Sequence, residues 1–350
     1  MSHRRLFAAS RRSLIGGALA MMGLAAFPQT PAQPRVLRWG IGYPEDHPQG
    51  LAVKRFAHIV QDRTQGRIRI ELHAGGELGN DVSMVDALRE GKLDMAGPDT
   101  ATLVRLSKPF GVINFPFLLA TEQDADLLLD SPFGKELLAT LPAHNLVGLG
   151  FWENGFRNLT NNRAPVTRRS DLAHLKVRVM PNAMFQDTFA VLGAEPLQLP
   201  FPEVYDSLKS GKVQAQENPL VTIATSRFYE VQKHLTLSRH AYSALAVLVS
   251  KPVWDSLSPA DRKVFEQANA EATLYQRELS RERGKQMVEE LRKKGMQVAE
   301  LSRDELPMIR MTTRKVIDKY AREYGEDWVR RLYVQLAVNE HRKLATAAAR

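Results

Sequence analysis

VDALREGKLDMA (Val85 to Ala96) and YDSLKSGKVQAQ (Tyr205 to Gln216) align without gaps, with Asp86/Asp206, Leu88/Leu208, Gly91/Gly211 and Lys92/Lys212 identical. Each reads as a helix ended by a glycine, where a positive φ is cheap, then a short strand after the lysine. The same ending recurs in unrelated αβ units, so the pair has two readings: a general helix ending, or two α/β lobes built alike. In the second, the loops GPDT (Gly97 to Thr100) and ENPL (Glu217 to Leu220) occupy equivalent carboxyl ends of two sheets. Ligands of open α/β sheets bind at such ends, and two of them facing each other enclose a cleft.

Working outward, VLRWGI (Val36 to Ile41), LAVKRFAHIVQDR (Leu51 to Arg63) and RIRIELH (Arg67 to His73) read as strand, helix, strand. In the last of these Ile68, Ile70 and Leu72 alternate with Arg67, Arg69 and Glu71, the period of a half-buried strand. That order implies a parallel sheet with a crossover helix. SPAD (Ser258 to Asp261) supplies a capping Ser, a Pro at the first helical position and an acid three residues after the cap. The stretch from there to Lys294 has no proline and only Gly284, so one helix of ~35 residues and ~50 Å is expected, long enough to lie across both lobes. A break at Gly284, or a coiled coil lacking a clean heptad, is the rival reading.

The chain has 350 residues, more than one compact domain usually holds. Its composition, 44% hydrophobic and 25% charged, is that of a globular protein. The net charge is +9, of which Arg4, Arg5, Arg11 and Arg12 belong to a leader without acids, leaving +5. The other basic residues are interleaved with acids, and no nucleic-acid-binding signature occurs, so no nucleic-acid partner is expected. With no cysteine, thiol catalysis, disulfides and thiolate metal sites are all excluded.

Residues 1–32 read as a cleavable signal: a basic start, the apolar LIGGALAMMGLAAF (Leu14 to Phe27), and a short segment ending at Ala32. Cleavage is expected near Ala32, with Ala26 as the alternative. SRRSLI (Ser10 to Ile15) resembles a twin-arginine export signal, and a Sec signal with an arginine-rich start fits nearly as well.

FWENGFRNLTNNRAPV (Phe151 to Val166) is dense in amides and aromatics, and LKVRVMPN (Leu175 to Asn182) places Arg178 in an otherwise apolar strand. Such an arginine either faces solvent, the commoner outcome, or is held inward to pair with an anion. WENGFRNLTNNRAPV, LKVRVMPN, LPFPEVYDSLKSGKV and QENP, in this order and with ELGND (Glu77 to Asp81) and FYEVQKHL (Phe228 to Leu235), resemble the solute-binding subunits of tripartite ATP-independent periplasmic (TRAP) transporters. The resemblance spans nearly the whole chain after the leader.

What it implies is an α/β, two-lobed periplasmic binding protein fold, a mainly parallel sheet flanked by helices in each lobe, with the long helix spanning both. The expected lobes are 33–155 plus about 244–283, and about 156–243 plus 284–346. The implied function is capture of a small organic acid, sugar acid or C4-dicarboxylate, in the periplasm and delivery to TRAP membrane permease subunits, by a monomer without cofactor or metal. In that family the arginine matching Arg178 forms a bidentate salt bridge to the ligand carboxylate, a geometry that suits its planar fork. The family's second arginine matches Arg157, the asparagine of QENP matches Asn218, with Glu217 beside it, and the aromatic before the EVY helix matches Phe201. Asp99 stands where sialic-acid binders carry a glutamate, which counts against sialic acid. Trp152, Glu153 and Asn154 with HAYSAL (His240 to Leu245) look most like the sugar-acid branch, Trp152 serving as ligand contact or core residue, and EDHP (Glu45 to Pro48) nominates His47.

No G-x-S-x-G, H-E-x-x-H, phosphate loop or dinucleotide fingerprint occurs, and the nine histidines are scattered. A non-enzymatic role is therefore expected. The alternatives are a binding protein feeding a sensor, and a lyase or hydrolase working with carboxylates alone.

Overall fold

The computed structural model describes residues 33–348, with side chains to residue 345; the signal segment lies outside the described residues. The elements run β1 (Arg35–Gly40), α1 (Pro48–Arg63), β2 (Ile68–His73), α2 (Asp81–Arg89), β3 (Met95–Ala96), α3 (Glu122–Leu129), α4 (Pro132–Leu138) and β4 (Leu146–Asn161). Then come β5 (Lys176–Val179), α5 (Ala183–Val191), β6 (Glu195–Gln198), α6 (Val204–Lys209), β7 (Ala215–Pro219), α7 (Leu220–Thr225) and β8 (His234–Ser250). The chain finishes with α8 (Lys251–Ser256), α9 (Pro259–Lys293), β9 (Gln297–Glu300), α10 (Leu306–Tyr324) and α11 (Glu326–Ala348).

The strands form one nine-stranded sheet in the order β2-β1-β3-β8-β4-β7-β5-β6, with β9 paired to β8. Its two ends have the same wiring. β1 lies parallel between β2 and β3, and β5 lies parallel between β6 and β7, each trio wound as β-α-β-α-β. The aligned segments of the sequence are α2-β3 in one trio and α6-β7 in the other, with Gly91 and Gly211 at φ +70° and +76°. The likeness is therefore architectural. The long antiparallel strands β4 and β8, of 16 and 17 residues, join the trios, and their register shifts between Gly148 and Gly150, between Glu153 and Gly155 and between Arg157 and Leu159.

Helix α9 starts where expected: Ser258 caps it by accepting from Asp261 N at 3.1 Å, and it runs 35 residues through Gly284 without interruption. Its first half buries Phe265, Ala268 and Ala272 against β1, α1 and β8, with the Phe265 ring 5.6 Å from that of Phe56. Its second half buries Met287 and Leu291 with Val213 just before β7, and with Ile223 of α7 and Phe228 just beyond it. Midway, Gln276 accepts from Glu153 N (2.8 Å) and donates to Glu153 O (2.6 Å), tying the helix to the register shift of β4 beside Glu153. The helix is thus a brace common to both trios.

Truncating a well-packed aromatic leaves a cavity and loses transfer energy, whereas an exposed apolar side chain contributes little. Phe265→Ala should lower unfolding free energy by about 3 to 5 kcal/mol in urea titrations, and Leu274→Ala, 71% exposed on the same helix, by less than about 0.5 kcal/mol. Equal effects would contradict the brace.

Candidate functional site

Side chains from the carboxyl ends of both trios converge on one small cavity of about 30 Å³. β1 delivers Tyr43, β3 delivers Asp99, β5 carries Arg178, and β7 ends at Asn218. Arg157 comes from the shifted middle of β4, Phe201 from the loop after β6, and Asp81 from the first turn of α2. Local chemistry sets the loops: Asp99 accepts from Ala101 N (2.9 Å), and Asn80 caps α2 by accepting from Val82 N (3.0 Å). Asn182 caps α5 and also donates to Ala101 O at 2.9 Å, connecting the two sides of the cavity.

The two arginines are in different electrostatic states. Arg157 is fully buried and its fork is occupied by Glu217, through Nε to Oε2 and Nη2 to Oε1 (2.8 Å). Its Nη2 also donates to Glu217 O (2.6 Å), and Nη1 donates to Ser243 Oγ (3.2 Å) and lies 3.9 Å from Asp99. Burial alone would raise the Glu217 carboxyl, but the Arg157 charge and a 3.1 Å hydrogen bond from His240 bring it down to about 2. Glu217 is therefore the resident counter-ion of Arg157.

Arg178 is 1% exposed, so the solvent-facing alternative does not hold. Its Nε and Nη2 donate to a single acceptor, Leu199 O (2.9 and 2.6 Å), and it has no carboxylate ion-pair partner among the described residues. Burial, reinforced by the Arg157 charge, pulls its pKa down to about 10 against the opposing pull of Glu217. A buried cation in this state gains from any anion that reaches it.

Across the cavity Asp81 accepts from Asp99 N at 2.9 Å. Burial, together with the neighbouring Asp99 charge, lifts its carboxyl to about 7, although the Asp99 amide and Arg178 favour ionisation. Tyr43 accepts a hydrogen bond from Asn154 (2.8 Å), and its ring packs edge-on to Phe201 at 4.7 Å.

Of the residues nominated from sequence, Arg178, Arg157, Asn218, Phe201 and Asp99 share the cavity. Glu217 lies behind Arg157. Trp152 is in the core, stacked 5.5 Å from Trp39 and donating to Thr273 Oγ1 at 3.0 Å. His47 caps α1 behind Tyr43, its ring stacked 4.4 Å away and its Nε2 3.2 Å from Thr222 Oγ1. Tyr43 and Asp81 escaped the sequence reading, although Asp81 ends the quoted ELGND segment; only the sheet brings them to Arg178.

A two-trio α/β sheet with a small, polar, charge-lined cavity at its strand ends defines a binding protein for a small solute. The chain belongs to the bacterial extracellular solute-binding protein family 7, whose model matches residues 40–323. It is 36% identical over 281 residues to the 2,3-diketo-L-gulonate-binding periplasmic protein YiaO of Escherichia coli K12, covering 80% of this chain and 86% of that protein. The sugar acid binding protein DctPAm of Advenella mimigardefordensis, solved in complex with galactonate, shares 37% identity with a TM-score of 0.86, over 88% of this chain and 99% of that one. A TRAP periplasmic solute-binding protein of Polaromonas sp. JS666, solved with D-erythronate, shares 32% identity with a TM-score of 0.82, over 87% and 98%. The resemblance read from the sequence is borne out. The protein is a solute-binding protein of the TRAP type and not an enzyme, which removes the lyase or hydrolase alternative. Among the described residues no helix is long and apolar enough to cross a membrane.

His47 and Asp81 set opposing pH dependences. Burial, with the Arg283 charge adding to it, lowers His47 from 6.5 to about 3, so the unfolded chain takes up this proton first and stability falls as pH drops from 6.5. Asp81 rises from 3.8 to about 7, so the folded chain holds its proton and stability falls as pH rises from 3.8 to 7. Each slope approaches about 1.4 kcal/mol per pH unit between them. From pH 6.5 to 5, ligand-free Asp81→Asn should lose stability relative to the parent and His47→Gln should gain it, by up to about 2 kcal/mol in urea unfolding. Parallel pH profiles for all three proteins would refute the assignment.

Proposed function

We propose that this chain works in the periplasm, capturing a small organic acid, of the sugar-acid or C4-dicarboxylate type, by an arginine-carboxylate clamp at Arg178 and delivering it to the membrane subunits of a TRAP transporter. The observation that carries the proposal is a fully buried guanidinium that lines the cavity and has no carboxylate ion-pair partner among the described residues. Arg157 supports the site differently: with Glu217 occupying its fork and Nη1 donating to Ser243 Oγ, it lines the cavity and holds the β4-β7 floor in place.

Two lobes divide at the shifted middle of β4 and β8, with β1 to β3 on one side and β5 to β7 on the other. Tyr43 against Phe201, His47 against Thr222, Asn182 against Ala101, and Arg283 donating to Asp46 O (2.6 Å) are contacts that closure makes. A ligand touching Arg178 from one lobe and Asp81 or Asp99 from the other favours the closed state, because its full set of contacts exists only there. The permease then reads the closed form. α10 and α11 reach both lobes, through Lys319 to Asp187 (2.5 Å) on one and Arg331 to Glu136 (2.5 Å) on the other.

A thermal-shift screen of ligand-free protein against sugar acids, C4-dicarboxylates and keto acids tests this, since a ligand of the folded state raises its melting temperature. A clear shift with at least one acid is expected. Arg178→Ala should cost about 2 to 5 kcal/mol, roughly 30-fold to several thousand-fold in affinity by titration calorimetry. Undiminished affinity in that variant overturns the clamp.

A further inference from the structure

The ends of the cavity differ in the kind of group they can accept. At one end Arg178 leaves Nη1 without a hydrogen-bond partner among the described residues. At the other, Asp99 is engaged through both oxygens: one accepts from Ala101 N and the other from Ser243 Oγ, 3.9 Å from Arg157 Nη1. Asp81 is not. One of its oxygens accepts from Asp99 N, and Oδ1, which lies against Gly42, has no hydrogen-bond partner among the described residues. No Lys, Arg or His forms an ion pair with Asp81 among the described residues.

We propose that Asp81 is the specificity-determining residue of this site: its free oxygen accepts a hydroxyl from the far end of the ligand and rejects a second carboxylate there, so the protein selects hydroxylated monocarboxylates over dicarboxylates of the same length. This rests on the Arg178 clamp proposed above and decides between the two acid classes that the clamp alone accepts.

The argument is one of charge and donors. An ionised carboxylate accepts and never donates, so a hydroxyl satisfies Asp81 whereas an anion meets like charge in a water-poor space. Burial, with the Asp99 charge adding to it, already lifts the Asp81 carboxyl to about 7 before any ligand anion arrives. The neighbouring cations do not offset a second anion, since Arg157 is committed to Glu217 and Arg178 to the first ligand carboxylate. A mismatch of this kind discriminates strongly, as sites built for a hydroxyl do.

The test uses two pairs that differ only at the far carbon, where a primary alcohol becomes a carboxylate: D-erythronate with meso-tartrate, and galactonate with galactarate. Calorimetry on ligand-free mature protein at pH 8, where Asp81 is ionised, should give the monocarboxylate of at least one pair an affinity 100-fold or more above its dicarboxylate. Asp81→Asn, of the same shape, should narrow that ratio to roughly tenfold or less by strengthening the dicarboxylate and weakening the monocarboxylate. Dicarboxylates binding as tightly as monocarboxylates in the parent, an unchanged ratio in a folded Asp81→Asn, or no binding by either monocarboxylate overturns the inference. If both classes bind and Arg178→Ala abolishes both, the clamp survives and only the role of Asp81 falls. If Arg178→Ala leaves binding intact, the clamp itself is wrong.

Discussion

Two guanidiniums share the floor of one buried cavity, and the carboxylate of Glu217 is hydrogen-bonded to just one of them. Buried charges are tolerated only when paired and hydrogen-bonded. The fold meets that condition for Arg157 with Glu217, Ser243 and Asn218, His240 in turn bonding Glu217. Among the described residues it leaves Arg178 hydrogen-bonded to one backbone carbonyl. The unequal treatment of two arginines about one acid is what turns a structural ion pair into a binding site, since the first holds β4 to β7 and the second remains available.

The sheet makes that inequality possible. Each parallel trio sends its loops to the same edge, and the antiparallel crossing of β4 and β8 sets the two edges face to face. The register shifts beside Glu153 and Arg157 turn the middle of β4 so that Arg157 joins the cavity wall and Asn154 reaches the Tyr43 hydroxyl, while Trp152 stays in the core. Gln276 of α9 holds the first of these shifts in place. An irregularity in the ladder and the brace against it are therefore parts of one device for aiming side chains.

Charge in the cavity is balanced across residues far apart in the chain. Asp81 and Asp99 face Arg178 and Arg157 without bonding closely to either, so each side lowers the cost of the other's burial while leaving room between them. Arginine suits this arrangement because it keeps its charge where a buried lysine would readily lose it. His47 stays neutral against Tyr43, which keeps a further cation out of the same wall.

Much of this was legible in the residues themselves. The repeat of α2-β3 in α6-β7, the Ser258 cap and the uninterrupted run to Lys293 follow from local rules, because helix ends, glycine turns and strand alternation depend on neighbours within a few residues. Arg178, Arg157, Asn218, Phe201 and Asp99 are nominated by the resemblance to TRAP solute-binding subunits, residue by residue on the matching motifs. Burial of Arg178 was not legible, since an arginine between valines on a strand points in or out according to which sheet covers it. Nor were Asp81 and Tyr43, which meet Arg178 only after about a hundred intervening residues have folded. Trp152 and Glu217 show the same limit from the other direction, one turned into the core and the other bound to Arg157. The sequence alone determined the elements, the doubled architecture and the chemical kind of group needed to hold an acid. The tertiary structure decided which of those groups is left unpaired, because pairing inside a low-dielectric cavity depends on distances that no single stretch of chain contains.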